Sequence, residues 1–173
     1  SDAEELGLRG ARAFVAGHPL APDVGVVLNF EARGSGGAVT MFETGPDSGD
    51  LIPILRSATP YPVANSLSDE VYRRLPNDTD FSIFMAAGVR GLNFAFIGDY
   101  AHYHSAVDSL EALDLESLQH HGSYALPLTR ALGRLDLATT GPATERVYFD
   151  LPALGLVHYP AGWAWPLAGV CLL

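Results

Sequence analysis

Residues 24–30, Val24-Gly25-Val26-Val27-Leu28-Asn29-Phe30, are a nearly unbroken apolar run rich in β-branched side chains. So short and apolar a run predicts a strand buried on both faces, as the strands of an α/β sheet are. It delivers Glu31 at its C-terminal end. Beyond it, Gly34-Ser35-Gly36-Gly37 permits a sharp turn into a second strand, Ala38 to Glu43, so 24–43 is expected to form a β-hairpin. The glycine cluster leads into a strand and not into a helix N-terminus, so it is a turn and not a phosphate cradle. A third strand is expected over Leu92 to Ile97 and a last one over Arg146 to Leu151.

Helical spacing fills the intervals. Leu8, Ala11, Phe14 and Val15 recur on one face until Gly17 and Pro19 end the pattern. Ser48 is placed to cap a helix over 49–57, and Ser66 or Ser68 to cap another over 69–75; both are expected on the surface. Asn77-Asp78-Thr79-Asp80 forms a turn and cap for a helix over 81–87. Leu113 to Leu135 is a long helix interrupted or bent at Pro127. Alternating helices and buried strands predict an α/β protein, a three-layer αβα sandwich around a mostly parallel or mixed sheet. The expected organisation is a domain over 1–151, lacking strands on its N-terminal side, followed by a linker and the start of a membrane helix over 152–173.

That last expectation rests on the tail. After Pro160, residues 161–173 carry no charge and include Trp163 and Trp165, whereas a span needs roughly 20 apolar residues with Trp favoured at its ends. The 173 residues suit one domain, and 48% hydrophobic with 17% charged content excludes intrinsic disorder. Twenty acidic against ten basic residues, a net charge of -10, disfavour nucleic acid as a partner, since phosphate binding relies on Lys and Arg. With one cysteine, Cys171, a metal would need histidine and carboxylate ligands.

Three places carry such side chains. Glu4-Glu5 precedes the first helix, and adjacent carboxylates there point apart and can take different tasks; acidic residues are also what a helix start favours. Glu31 closes an apolar strand and must be paired, hydrated or coordinated. His102 and His104 follow the strand over 92–97, with Asp108 as a candidate partner for an imidazole nitrogen. His18, His120, His121 and His158 are expected as surface or packing residues.

Glu4-Glu5-Leu6-Gly7-Leu8-Arg9-Gly10-Ala11, Asn29-Phe30-Glu31-Ala32-Arg33-Gly34 and Tyr103-His104-Ser105 with Asp108 resemble, in order and interval, three signatures of the zinc exopeptidase family of aminopeptidase Y, glutamate carboxypeptidase and glutaminyl cyclase. The second, with Phe96-Ile97-Gly98-Asp99-Tyr100, is similar to the branch of endoplasmic reticulum metallopeptidases, in which membrane helices follow the peptidase domain. The resemblance implies a membrane-anchored aminopeptidase with two zinc ions, acting on peptides, with its catalytic domain outside the cytosol in a periplasmic, extracellular or luminal space. It implies Glu4 as general base, Glu5 and His104 as ligands of one zinc, and Glu31 as ligand of the other, where many relatives have Asp. The family's upstream His-x-Asp and bridging aspartate have no counterpart in these residues, so the chain alone is expected to hold zinc weakly or not at all and to be inactive. A non-catalytic binding relative and a single-zinc glutaminyl cyclase are the alternatives. For the substrate amine, Glu31 or Asp80 is the candidate partner.

Overall fold

The computed structural model describes residues 3–137 and 143–171. In chain order the elements are α1 (Arg9–Gly17), β1 (Val27–Ala32), β2 (Gly36–Thr44), α2 (Leu51–Ala58), α3 (Ser66–Tyr72), α4 (Asp80–Ala86), β3 (Gly91–Gly98), α5 (Leu115–Leu132), β4 (Arg146–Leu151), β5 (Gly155–Pro160) and α6 (Ala164–Cys171). The α/β expectation holds: a mixed three-stranded sheet in the order β1-β3-β2 carries helices on both faces, and β4-β5 forms a second, antiparallel pair.

The hairpin expected over 24–43 does not form. β3 lies between the two strands, parallel to β1 and antiparallel to β2. The apolar content decides this, because Leu92, Phe94, Ala95 and Phe96 are all buried and β3 takes the centre, where both faces are covered. β1 is instead an edge of the described sheet, and its residues are half-buried rather than buried on both faces. The glycines do make a close approach. Gly34 has φ +143°, and a Cβ there would stand 2.1 Å from the Gly98 carbonyl oxygen.

β3 sorts its side chains by parity. Leu92, Phe94 and Phe96 join Val39 and Met41 of β2 in a core covered by α2 and α5 through Leu51, Leu55, Tyr124 and Leu128. α2 is therefore a core helix and not a surface one. Its N-cap is Asp50, while Ser48 Oγ donates to the Pro46 carbonyl and accepts from Gly91 N–H. α3 is capped by Asn65, whose side chain accepts from Ser68 N–H, in place of Ser66 or Ser68. Thr79 caps α4 in a capping box, as the sequence indicates. α5 runs through Pro127 without interruption.

β5 is a strand the sequence reading passes over. Its Leu156 is buried in the core, and β4 docks beside α3, where Asp69 accepts from Thr44 Oγ1 (2.6 Å) and from the Tyr148 hydroxyl (3.3 Å). α6 is short, with Trp165 86% exposed, and among the described residues no helix is long and apolar enough to cross a membrane. Leu172 and Leu173, the end of the apolar tail, lie outside the described residues.

His120 and His121 are packing residues. His120 Nδ1 accepts from Val39 N–H, and His121 sits between Phe30 and Phe96. Burial, with His120 beside it, pushes the His121 imidazole down to about 4. A folded-state value below the unfolded one means stability is full above about pH 6.5 and falls as pH drops toward 4, by up to about 3 kcal/mol at 1.36 kcal/mol per unit. Urea midpoints at pH 7.5 and 4.5 should show this, and His121→Phe should lose less stability than the unaltered protein over that interval. Equal losses would remove His121 as the cause.

Candidate active site

On the face of the sheet opposite the apolar core, the odd-numbered residues of β1 and β3 are polar at their centre. Asn93 is fully buried; its Oδ1 accepts from Asn29 Nδ2 (2.9 Å), and its own Nδ2 donates to Glu43 Oε2 (2.9 Å) and Thr79 Oγ1 (3.2 Å). Asn29 Nδ2 also donates to Glu31 Oε1 at 2.8 Å. A row Glu31–Asn29–Asn93–Glu43 thus crosses all three strands. A buried amide in an otherwise apolar strand must be satisfied, and here satisfying it fixes the carboxylate at the end of β1. The sequence reading misses Asn29 and Asn93 as contributors. Their signal was present: Asn29 is two residues from Glu31 and so on the same face, and Asn93 interrupts the apolar run of β3.

Glu4 and Glu5 are not in the first turn of α1. They lie in a turn ahead of it, where the Glu4 carbonyl accepts from Gly7 N–H (3.1 Å) and Leu8 N–H (2.8 Å) and both Gly7 and Leu8 have positive φ. His104 comes from the loop after β3 and is itself held at φ 54°, a left-handed conformation that costs a non-glycine residue energy and concentrates at functional positions. Its ring stacks on Tyr103 with centroids 3.8 Å apart, and its Nε2 lies 2.9 Å from Glu5 Oε1. The neighbouring His102 faces away, with Nδ1 2.7 Å from Ser35 Oγ. Among the described residues, no side-chain hydrogen bond joins Asp108 to a histidine.

Glu4, Glu5 and Glu31 line one cavity of about 420 Å³ beside the C-terminal end of β1. Phe42 and Tyr72, in edge-to-face contact at 4.6 Å, supply part of its apolar wall. Burial, then the negative charges of Glu31 and Glu5, raises the proton affinity of Glu4. Burial raises that of Glu31 as well, opposed by the Asn29 hydrogen bond. The four side chains singled out from the sequence are therefore in one region: three on the cavity, and His104 joined to it through Glu5. Asp80, the other candidate for the amine, is buried at the start of α4 and is not among the residues lining the cavity.

Among the described residues no group of three or more His, Cys, Asp and Glu side chains is positioned to hold a metal ion. The donors nonetheless fit zinc in chemistry, since Glu5 and His104 present a carboxylate and an imidazole in contact.

A mixed sheet with helices on both faces, carrying an acidic, ligand-sized cavity beside the end of β1 and a carboxylate–imidazole pair brought together from the turn before α1 and the loop after β3, defines an α/β protein with an enzyme-like site. The chain belongs to peptidase family M28, whose model matches residues 1–129. It is similar to endoplasmic reticulum metallopeptidase 1 of Rattus norvegicus, 31% identical over 165 residues that cover 92% of this chain and 18% of that protein. It is also similar to the vacuolar membrane protease of Clavispora lusitaniae, 33% identical over 164 residues that cover 92% of this chain and 15% of that protein. The chain thus spans less than one fifth of the length of these relatives. No solved structure matches it.

Proposed function

We propose that the whole protein is a membrane-anchored, zinc-dependent exopeptidase of the aminopeptidase type and that this chain supplies part of its peptidase domain. The observation that carries the reading is the meeting of Glu4, Glu5 and Glu31 on one cavity, with His104 bonded to Glu5, in a chain of a peptidase family. Glu5 and His104 would hold one zinc ion and Glu31 a second. When bound, such ions polarise a scissile carbonyl and lower the pKa of water. The chain's own residues do the rest. Glu4, whose proton affinity burial and two neighbouring carboxylates raise, takes a proton from the attacking water and passes it to the leaving amine. Asn29, held by Asn93, keeps the Glu31 carboxylate aimed into the cavity. The carboxylates attract the free α-amine of a peptide.

Three ligands and one base are too few for two tightly held ions, so the 173-residue chain alone would bind zinc weakly and be inactive. The uncharged residues 161–173, with Trp163 and Trp165 exposed, support a membrane anchor beyond β5, with the peptidase domain on the extracytoplasmic side. The test is the full-length protein assayed on peptides with free and acetylated N-termini, before and after chelation. The expected result is release of the first residue from the free peptides only, lost on chelation and restored by zinc. Cleavage that ignores the N-terminus, or persists without metal, would overturn the reading.

A further inference from the structure

The cavity holds a charge that the proposed chemistry leaves unused. Its walls carry the carboxylates Glu4, Glu5, Glu31 and Asp78, and among the described residues lining it Arg33 is the one cation. Arginine in such surroundings ordinarily closes an ion pair. Among the described residues Arg33 forms none. Its guanidinium instead lies over the Tyr103 ring, 5.5 Å from the centroid, next in sequence to His104. The Arg33 N–H donates to the Phe96 carbonyl at 2.9 Å, which ties the residue to the end of β3.

We propose that Arg33 is a receptor for a carboxylate of the substrate, placed so that the cavity selects short peptides carrying a negative charge close to the scissile bond. This rests on the peptidase reading and extends it to substrate class. A cavity of about 420 Å³ suits a small ligand better than a long chain. Carboxylates alone would attract an amine and repel an anion, whereas one cation among them makes the cavity complementary to a molecule bearing both charges. The guanidinium is planar, remains charged and binds carboxylates through two parallel hydrogen bonds; its place over the Tyr103 ring keeps it beside the cavity. The charge can come from the C-terminus of a dipeptide or from an acidic side chain, and both present the same group.

The full-length protein carrying Glu4→Gln separates binding from turnover. Calorimetry on it would compare Leu-Leu with Leu-Leu-amide, and Glu-Leu-amide with Gln-Leu-amide. One pair is expected to favour its carboxylate member by roughly 10- to 100-fold, and which pair does so identifies the source of the charge. Adding Arg33→Ala should bring that ratio close to one, while Arg33→Lys, which keeps the charge without the fork, should retain part of it. A merely structural role would not produce that graded ratio. Equal binding within both pairs, or a preference that survives Arg33→Ala, overturns the proposal. If the unaltered full-length protein hydrolyses none of the four, the peptidase reading fails first and this inference falls with it.

Discussion

Replacing Glu4 by Gln in the full-length protein is expected to lower peptide turnover by about 10²–10⁴-fold, the range that a positioned general base contributes. The substitution keeps the shape and one acceptor oxygen of the side chain but removes its capacity to take a proton. The turn that presents it is made by backbone, through the Glu4 carbonyl and the N–H groups of Gly7 and Leu8, so it should survive. Glu5, next in sequence, meets His104 and is engaged elsewhere. The loss should therefore appear in kcat with metal content maintained, whereas Glu5→Gln should lower both metal content and rate. Activity within a few-fold of the unaltered protein would remove Glu4 from the role of base and leave only the cavity's charge to account for it.

Local pattern made most elements legible. The helix at Leu8, the cap at Thr79 and the strand over 92–97 each follow from signals confined to a few residues, and each appears where the signal falls. The pairing of strands did not follow, because it is decided by competition between distant segments. Gly34-Ser35-Gly36-Gly37 permits a hairpin between β1 and β2, but β3, about fifty residues later, buries more and displaces it from the centre. β5 escaped for a related reason: Gly155 to Pro160 is a short run that ends in a proline and, among the described residues, pairs with β4 alone, so periodicity marks it weakly. At the site, Glu4, Glu5, Glu31 and His104 were singled out because the short motifs around them resemble those of a peptidase family; their residue types alone left Glu4 and Glu5 open as an acidic helix start. Asn29 could have been placed on the face of Glu31 by strand parity, whereas the bond from Asn29 to Asn93 and the contact of Arg33 with Tyr103 cross strands and loops and become visible only once the sheet order is known.

The same sheet order makes Phe94 a position where the fold is vulnerable. It occupies the middle of the central strand, is completely buried, stacks on Phe30 with centroids 4.8 Å apart and meets Tyr124 edge-on at 5.8 Å. Those contacts join β3 to the edge strand on one side and to α5 above the sheet. Phe94→Ala is expected to cost about 3–5 kcal/mol, the range for emptying a buried aromatic site, of which each lost aromatic pair accounts for about 0.5–1.5 kcal/mol. Since domains are stable by only about 5–15 kcal/mol, the variant should stand close to unfolding. Phe42, half-buried on the cavity side, should cost less when changed to Ala, because solvent can refill part of its space. Denaturant titration of the two variants against the unaltered protein measures the difference. Its functional consequence follows from strand parity: Phe94 stands between Asn93, which holds Asn29 and through it Glu31, and Ala95 on the cavity wall. A shift of β3 that relaxes the core must therefore also disturb the carboxylate across the sheet. In the full-length protein, proportional losses of activity and stability across Phe94→Leu and Phe94→Ala would support that coupling. A Phe94→Ala protein that loses less than about 1 kcal/mol would show that the core closes over the gap and that the sheet tolerates it.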